Sequence, residues 1–379
     1  MPKRIMICRR IVSLLLVLVL SVLLFINRTV DAEQYLGCAS AYALIEANSG
    51  IVIKKNNMDS RLPMASTTKT MTALVVIENC ELDAIIAVPD EAVGVEGSSM
   101  YLSHGEQISV RDLLYGLMLC SGNDAAVALA IHVGGSVDKF VAMMNARAEK
   151  MGLCDTHFVT PNGLHDQNHY TTAYELAKIG AEAMKNETFR EIVSAKYHST
   201  TTGTTERTMK NKNSLLWNYD GAVGIKTGYT MAAGRCLLFA AERDGLLLVG
   251  AVLNCKPMFE AAEQMLDYGF ANYAMCTVVQ SGSRIARCFV PDGQKNILAL
   301  TAKSDIIIPV LKGTEMSVEV RVDLLKGVSA PINVGDRMGK ARFYSSGELI
   351  GETELLADEN IAVRDLAFYL ELLLKSMLS

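Results

Sequence analysis

Two groups of β-patterned segments bracket a long helical stretch, and that order leaves few folds open. Tyr42-Ala43-Leu44-Ile45 and Ile51-Val52-Ile53 flank Asn48-Ser49-Gly50, which predicts a β-hairpin. From Ser66 to about Lys185 the periodicity is helical, with apolar residues three and four apart in Met71–Ile77, Leu113–Leu119, Ala125–Val133 and Phe140–Met151. Strand patterns return at Ile225–Tyr229, Leu237–Ala241 and Leu246–Leu253, the last two joined by Arg243-Asp244-Gly245. A sheet built from both ends of this segment with a helical insert between them is an α+β plan.

The rest of the chain divides by pattern. An amphipathic helix from Phe259 to about Tyr273 closes the first domain near residue 276, so that domain is expected over residues 33–276. Residues 277–357 carry short Val/Ile runs separated by Gly, Pro, Asp and Asn, among them Ile306–Leu311, Ser317–Leu324 and Ala341–Tyr344; they predict a small β-sandwich domain. Within 358–379 a helix is expected over Asn360–Met377. Its charges Arg364, Glu371 and Lys375 fall on one side and leave a wide face of Leu, Phe, Tyr and Met. Such a helix suits a membrane surface, the alternative being that it packs on its own domain or on another copy. At the other end, Lys3, Arg4, Arg9 and Arg10 precede an apolar run from Ile11 to Ile26, and Val30-Asp31-Ala32 offers small residues for cleavage. Residues 1–32 therefore read as a signal peptide for export, with an uncleaved anchor helix as the alternative.

Charge narrows the partners. With the five basic and one acidic side chains of residues 1–32 set aside, 31 basic and 40 acidic remain, a net charge of −9, which disfavours nucleic acid. The nine cysteines are scattered without a Cys-x-x-Cys pair and are expected to be mostly buried thiols, with one or two bridges as the alternative. His165 and His169 have i,i+4 spacing, but Gly163, Asp166 and Asn168 mark a loop there and no third ligand is near, so no metal site is expected. Neither a Gly-rich phosphate loop after a strand nor Gly-x-Ser-x-Gly is present. A serine assisted by something other than histidine remains.

Ser66-Thr67-Thr68-Lys69 opens a helix-like run. Residues i and i+3 share a helix face, so the Lys69 amine can reach the Ser66 hydroxyl. Burial and a helix N-terminus both disfavour the ammonium form, and a neutral amine could take the hydroxyl proton during attack on a carbonyl. The spacing alone is weak, because Ser136-Val137-Asp138-Lys139 repeats it, with Ser136 placed as an N-cap. Two further elements add weight. Ser121-Gly122-Asn123 stands between an apolar helix end and another helix, where it could present a hydroxyl and an amide to a cleft or simply cap the helix. Lys226-Thr227-Gly228 lies on a strand whose edge could accept an extended peptide, with Lys226 and Thr227 meeting a carboxylate; its plain alternative is a solvated strand end.

Ser-x-x-Lys, Ser-x-Asn and Lys-Thr-Gly in that order, the second and third beginning 55 and 160 residues after Ser66, form the motif set of penicillin-binding proteins and serine β-lactamases. Over about residues 36–275 the chain resembles the low-molecular-weight penicillin-binding proteins of the D-alanyl-D-alanine carboxypeptidase type, peptidase family S11. The likeness runs through Pro63–Lys69, Leu113–Leu119, Ser121–Ala126, Asn162–His165 and Lys226–Thr230. It implies a transpeptidase-like domain, a small all-β domain and a C-terminal amphipathic anchor at the extracytoplasmic membrane face.

By that resemblance Ser66 is the acylated nucleophile and Lys69 its general base. Ser121 and Asn123 relay protons and hold the peptide, and Lys226 and Thr227 bind the terminal carboxylate. The N–H groups of Ser66 and Tyr229, the latter beside Gly228, form the oxyanion hole. Lys212 aligns with a basic position that is often Arg, where Lys supplies a point charge and no fork. The implied substrate is the peptidoglycan stem peptide, with β-lactams as covalent inhibitors and no cofactor. A class A-like β-lactamase is the nearest alternative; it lacks support because no Glu-x-x-Leu-Asn stands between the second and third motifs. A sensor that binds cell-wall peptide without turnover is a third reading.

Overall fold

The structure, a computed structural model, describes residues 35–378. The expected leader, residues 1–32, lies outside them. The chain forms two compact units that divide between Ala271 and Asn272.

The sheet of the first unit contains β1 (Ala41–Glu46), β2 (Val52–Asn56), β3 (Ala222–Thr230), β4 (Gly234–Arg243) and β5 (Leu246–Leu253), in the antiparallel order β2-β1-β5-β4-β3. The early hairpin and the late strands thus join through β1 and β5, with Leu44 opposite Gly250 and Ile45 opposite Val249. Because side chains alternate across a strand, Leu44 and Leu248 face one side and Ile45 and Val249 the other. Both sides are covered. The insert supplies α1 (Lys69–Asn79), α2 (Val110–Tyr115), α3 (Asn123–Gly134), α4 (Val137–Lys150), α5 (Ala173–Ala183) and α6 (Glu187–Ser194), and α7 (Met258–Asn272) follows the sheet. Gly180 of α5 lies against Leu238 and Val249, whereas Gly269 of α7 lies against Leu248 and Leu44. A central sheet between helices leaves β5 buried at every residue, which explains why Leu246–Leu253 reads as one apolar run.

The insert is less helical than its periodicity suggests. Ile85–Ala87 and Gln107–Ser109 form a short antiparallel pair, and Gly94, Gly97 and Gly105 between them adopt positive φ, which a helix cannot accommodate. The apolar residues in this stretch, Ile86, Val88 and Ile108, are buried in the same core as α1 and α3. Ser136 caps α4 as expected, its Oγ accepting from the Lys139 N–H at 3.2 Å.

In the second unit β6 (Tyr273–Val279) pairs with β9 (Ile306–Leu311), and a five-stranded sheet runs in the order β7 (Arg284–Phe289), β8 (Ile297–Ala302), β12 (Glu348–Ala357), β11 (Arg337–Ser345), β10 (Glu319–Leu324). Leu298, Leu300, Ala341, Phe343 and Leu355 are buried in it. The division falls a few residues ahead of the expected 276 because Tyr273 already begins β6 instead of ending the helix. The C-terminal helix α8 (Leu366–Leu378) starts later than Asn360, and no residue of it is buried. Among the described residues no single helix is long and apolar enough to cross a membrane.

Cysteines 80, 120, 154, 236, 255, 276 and 288 stand as thiols. Among the described residues only Cys236, Cys255 and Cys288 of the cysteines are buried, so the expectation of buried thiols describes part of the set.

Candidate active site

Ser66 sits in a 3₁₀ turn, Ala65–Thr68, that runs directly into α1 at Lys69. Lys69 and Lys226 are among the largest fully buried side chains of the molecule. Lysines are rarely buried without a use for the amine, since losing water disfavours the charged form. Here the amine is fully engaged. Lys69 Nζ lies 3.0 Å from Ser66 Oγ, 2.7 Å from Asn123 Oδ1 and 2.6 Å from the carbonyl oxygen of Asn162. The Asn123 amide is oriented by its other end, where Nδ2 donates to the Glu96 carbonyl at 2.5 Å. Burial pushes the Lys69 amine well below the usual lysine range, and the neighbouring Lys226 and Lys212 push it further the same way.

Ser121 follows a π-helical turn, Gly116–Cys120, and takes the left-handed conformation with φ 66°. It ends the π turn and is not the N-cap of the next helix: that position belongs to Gly122, which has no side chain to cap with. A serine in this backbone state stores strain, a pattern frequent at functional sites. Asn123, two residues on, opens α3.

The third motif lies on β3, the edge strand of the sheet. Lys226, Thr227 and Gly228 pair with Leu238, Leu237 and Cys236 of β4. Their other side meets the Ser66 turn, where a Cβ on Gly228 would come 3.1 Å from both Met64 O and Ser66 N. Lys226 Nζ donates to the Thr227 carbonyl at 3.0 Å, and burial first, then Lys212, brings its pKa down to about 7. Tyr229 is exposed at the end of the motif.

Ser66, Ser121, Lys212, Thr227, Gly228 and Tyr229 line one cleft of about 300 Å³. Lys69, Asn123 and Lys226 stand behind it. A larger hollow of about 460 Å³, near Asn48, Arg147 and Lys178, contains none of them. Lys212 donates to Ser98 Oγ at 3.1 Å. Ser98, Arg235, Met258 and Phe259 complete the cleft lining without a motif to announce them. Ser98 is held there directly by the Asn123 N–H, which donates to its carbonyl at 2.7 Å, and through its loop, because the buried Asp124 carboxylate accepts from the N–H groups of Met100 and Leu102 and from Ser99 Oγ. The Asn162 carbonyl was equally hidden, although Asn162-Gly163-Leu164 is part of the resemblance. Among the described residues there is no group of three His, Cys, Asp or Glu side chains suited to a metal ion.

Comparison with known proteins gives the family. The family profile described as D-alanyl-D-alanine carboxypeptidase, peptidase S11, matches residues 29–257, and that of the penicillin-binding protein 5 C-terminal domain matches residues 273–363. The D-alanyl-D-alanine carboxypeptidase DacF of Bacillus subtilis is 31% identical over 85% of this chain and 86% of its own length. DacA of Haemophilus influenzae is 33% identical over 84% of each chain. This chain belongs to the S11 D-alanyl-D-alanine carboxypeptidases. Among solved structures, penicillin-binding protein 5 from Haemophilus influenzae covers 86% of this chain and 98% of its own, at 32% identity and a TM-score of 0.72. The Streptomyces K15 DD-transpeptidase covers 62% of this chain at 38% identity and a TM-score of 0.59. An S11 carboxypeptidase followed by this C-terminal domain supports the carboxypeptidase reading over the β-lactamase and the sensor.

Proposed function

We propose that Ser66 is the nucleophile and Lys69 its general base. The observation that carries this is the set of partners around one nitrogen. A neutral amine has two hydrogens and one lone pair. The carbonyl oxygens of Asn123 and Asn162 can only accept, so they take the two hydrogens, and the lone pair is left for Ser66 Oγ at 3.0 Å. Ser66 then donates to Lys69, as a nucleophile must to its base.

The substrate is the D-Ala-D-Ala end of a peptidoglycan stem peptide, laid along β3. Ser66 Oγ attacks the penultimate D-Ala carbonyl as its proton passes to Lys69. The N–H groups of Ser66 and Tyr229 hold the oxyanion. Collapse expels the terminal D-Ala, whose amine takes a proton through Ser121, and water then hydrolyses the acyl-Ser66 ester to restore the hydroxyl. Asn123 holds Lys69 and the peptide, Lys226 and Thr227 bind the terminal carboxylate, and Lys212 adds positive charge at the mouth. A β-lactam enters the first step and leaves a slowly cleared acyl-Ser66. Residues 1–32 export the chain, and α8 holds it to the extracytoplasmic face of the cell membrane.

The test is fluorescent penicillin applied to the purified protein and to Ser66→Ala, with D-Ala release from a pentapeptide followed in parallel. The expected result is covalent label and steady D-Ala release from the first, and neither from the second. Equal labelling of both would remove Ser66 from the mechanism.

A further inference from the structure

We propose that His169 is a positioning residue for the nucleophile: through the Thr68 hydroxyl it holds the Ala65 carbonyl, and so the backbone that aims Ser66. This rests on Ser66 being the nucleophile and extends that reading to a residue that touches neither substrate nor the reacting atoms.

His169 is buried in the loop between α4 and α5. Its Nδ1 accepts from the Val159 N–H at 3.0 Å, so Nδ1 carries no proton. The hydrogen of the neutral ring is therefore on Nε2, which lies 2.7 Å from Thr68 Oγ1 and donates to it. Thr68 gives its own hydrogen to Ala65 O, also at 2.7 Å. Every bond in this relay has only one possible direction: Val159 N–H to imidazole, imidazole to hydroxyl, hydroxyl to carbonyl. Both ring nitrogens are occupied, which leaves no lone pair for a metal.

The far end of the relay is under strain. Ala65 adopts φ 49°, a left-handed state that a residue with a Cβ takes up only when its surroundings impose it. It immediately precedes Ser66. The same loop closes on the turn from another side, for a Cβ on Gly163 would lie 2.0 Å from Ala65 O. It also supplies Asn162 O to Lys69 and Pro161 O to Thr72 Oγ1 at 2.6 Å each. One loop thus sets the base through Asn162 and the nucleophile through His169.

The ring stays neutral across the working range. Burial lowers its pKa to about 4, Asp166 alone favours the charged form, and His157, His165 and Lys69 oppose it. A second proton would sit on Nδ1 and turn it from acceptor into a donor facing the Val159 N–H.

The experiment measures the second-order rate of acylation by fluorescent penicillin, per folded enzyme, for the full chain and four variants, together with KM for a pentapeptide. His169→Ala and Thr68→Val are each expected to slow acylation at least tenfold with KM within about twofold, the pattern of lost alignment. The double variant is expected to be no slower than the worse single one, because both cut the same relay. His169→Gln, whose terminal amide can still donate to Thr68, is expected to recover at least half of the lost rate on a logarithmic scale. Acylation of folded His169→Ala at the wild-type rate, equal losses in the Ala and Gln variants, or multiplicative losses in the double variant would each overturn the proposal. Should His169→Ala not fold, a wild-type rate in Thr68→Val overturns it. Label on Ser66→Ala would sink the nucleophile reading, and this one with it, whereas full-rate His169→Ala sinks this one alone.

Discussion

Lys226 carries a cost and, in the proposed mechanism, a function in one side chain. An unfolded lysine titrates near 10.4, and here the folded one is brought down to about 7. Between those values the unfolded chain binds a proton that the folded chain lacks, so Lys226 makes stability rise with pH from about 7 to 10. Urea titrations should therefore show that Lys226→Met is more stable than the wild type at pH 7 and less dependent on pH up to 9. A bound carboxylate reverses the balance and draws the proton back. Calorimetry at pH 8 in buffers of different ionisation heat, on non-acylating Ser66→Ala with a D-Ala-D-Ala peptide, should report uptake approaching one proton. No uptake would separate Lys226 from the carboxylate. At this scale the sequence disclosed the residues that rely on short spacing: Ser66 and Lys69 meet because three residues make one helical turn. Asn123 and Asn162, 54 and 93 residues from Lys69, were not legible as its partners, because their approach depends on how whole loops close. The two Ser-x-x-Lys segments were told apart by the motifs that follow the first, which lines a cleft, whereas the second is a surface cap.

Strands and long helices were legible because burial leaves a period in the sequence, and β5 was read to the residue. The short connectors were not. The 3₁₀ turn that carries Ser66 is too short to leave a period, and the π turn ahead of Ser121 is hidden inside the apolar run Leu113–Leu119, which reads as ordinary helix. These connectors aim the reacting groups, so small changes in them should matter most. Gly163 joins the loop between α4 and α5 to the Ser66 turn at φ 84°, where any Cβ would meet Ala65 O. Gly163→Ala is expected to cost about 2 kcal/mol or more in urea unfolding, combining backbone strain with a displaced turn. Acylation of its folded fraction should fall at least tenfold. A stable, fully active Gly163→Ala would show that the turn tolerates this displacement.

For the whole molecule, the two-domain plan was legible because the pattern changes from helical to short β runs, while the boundary was not, since Tyr273–Val279 alternates weakly. The function of α8 is argued at this scale. Leu366, Leu370, Leu373, Leu374 and Met377 are all exposed, and Glu371 pairs with Lys375 at 2.7 Å on the polar side. A chain ending at Val363 is expected to hydrolyse soluble pentapeptide as the full chain does but to lose co-sedimentation with anionic phospholipid vesicles. Equal sedimentation of both would free α8 from the membrane. A last consequence follows from the three lysines gathered at a cleft in a chain of net charge −5. At long range an anionic peptide meets a repelling molecule, and attraction begins only within about one screening length, ~10 Å at 0.1 M salt. Capture is then a contact event, suited to a polymer already lying alongside and poorly suited to fishing free peptides out of dilute solution.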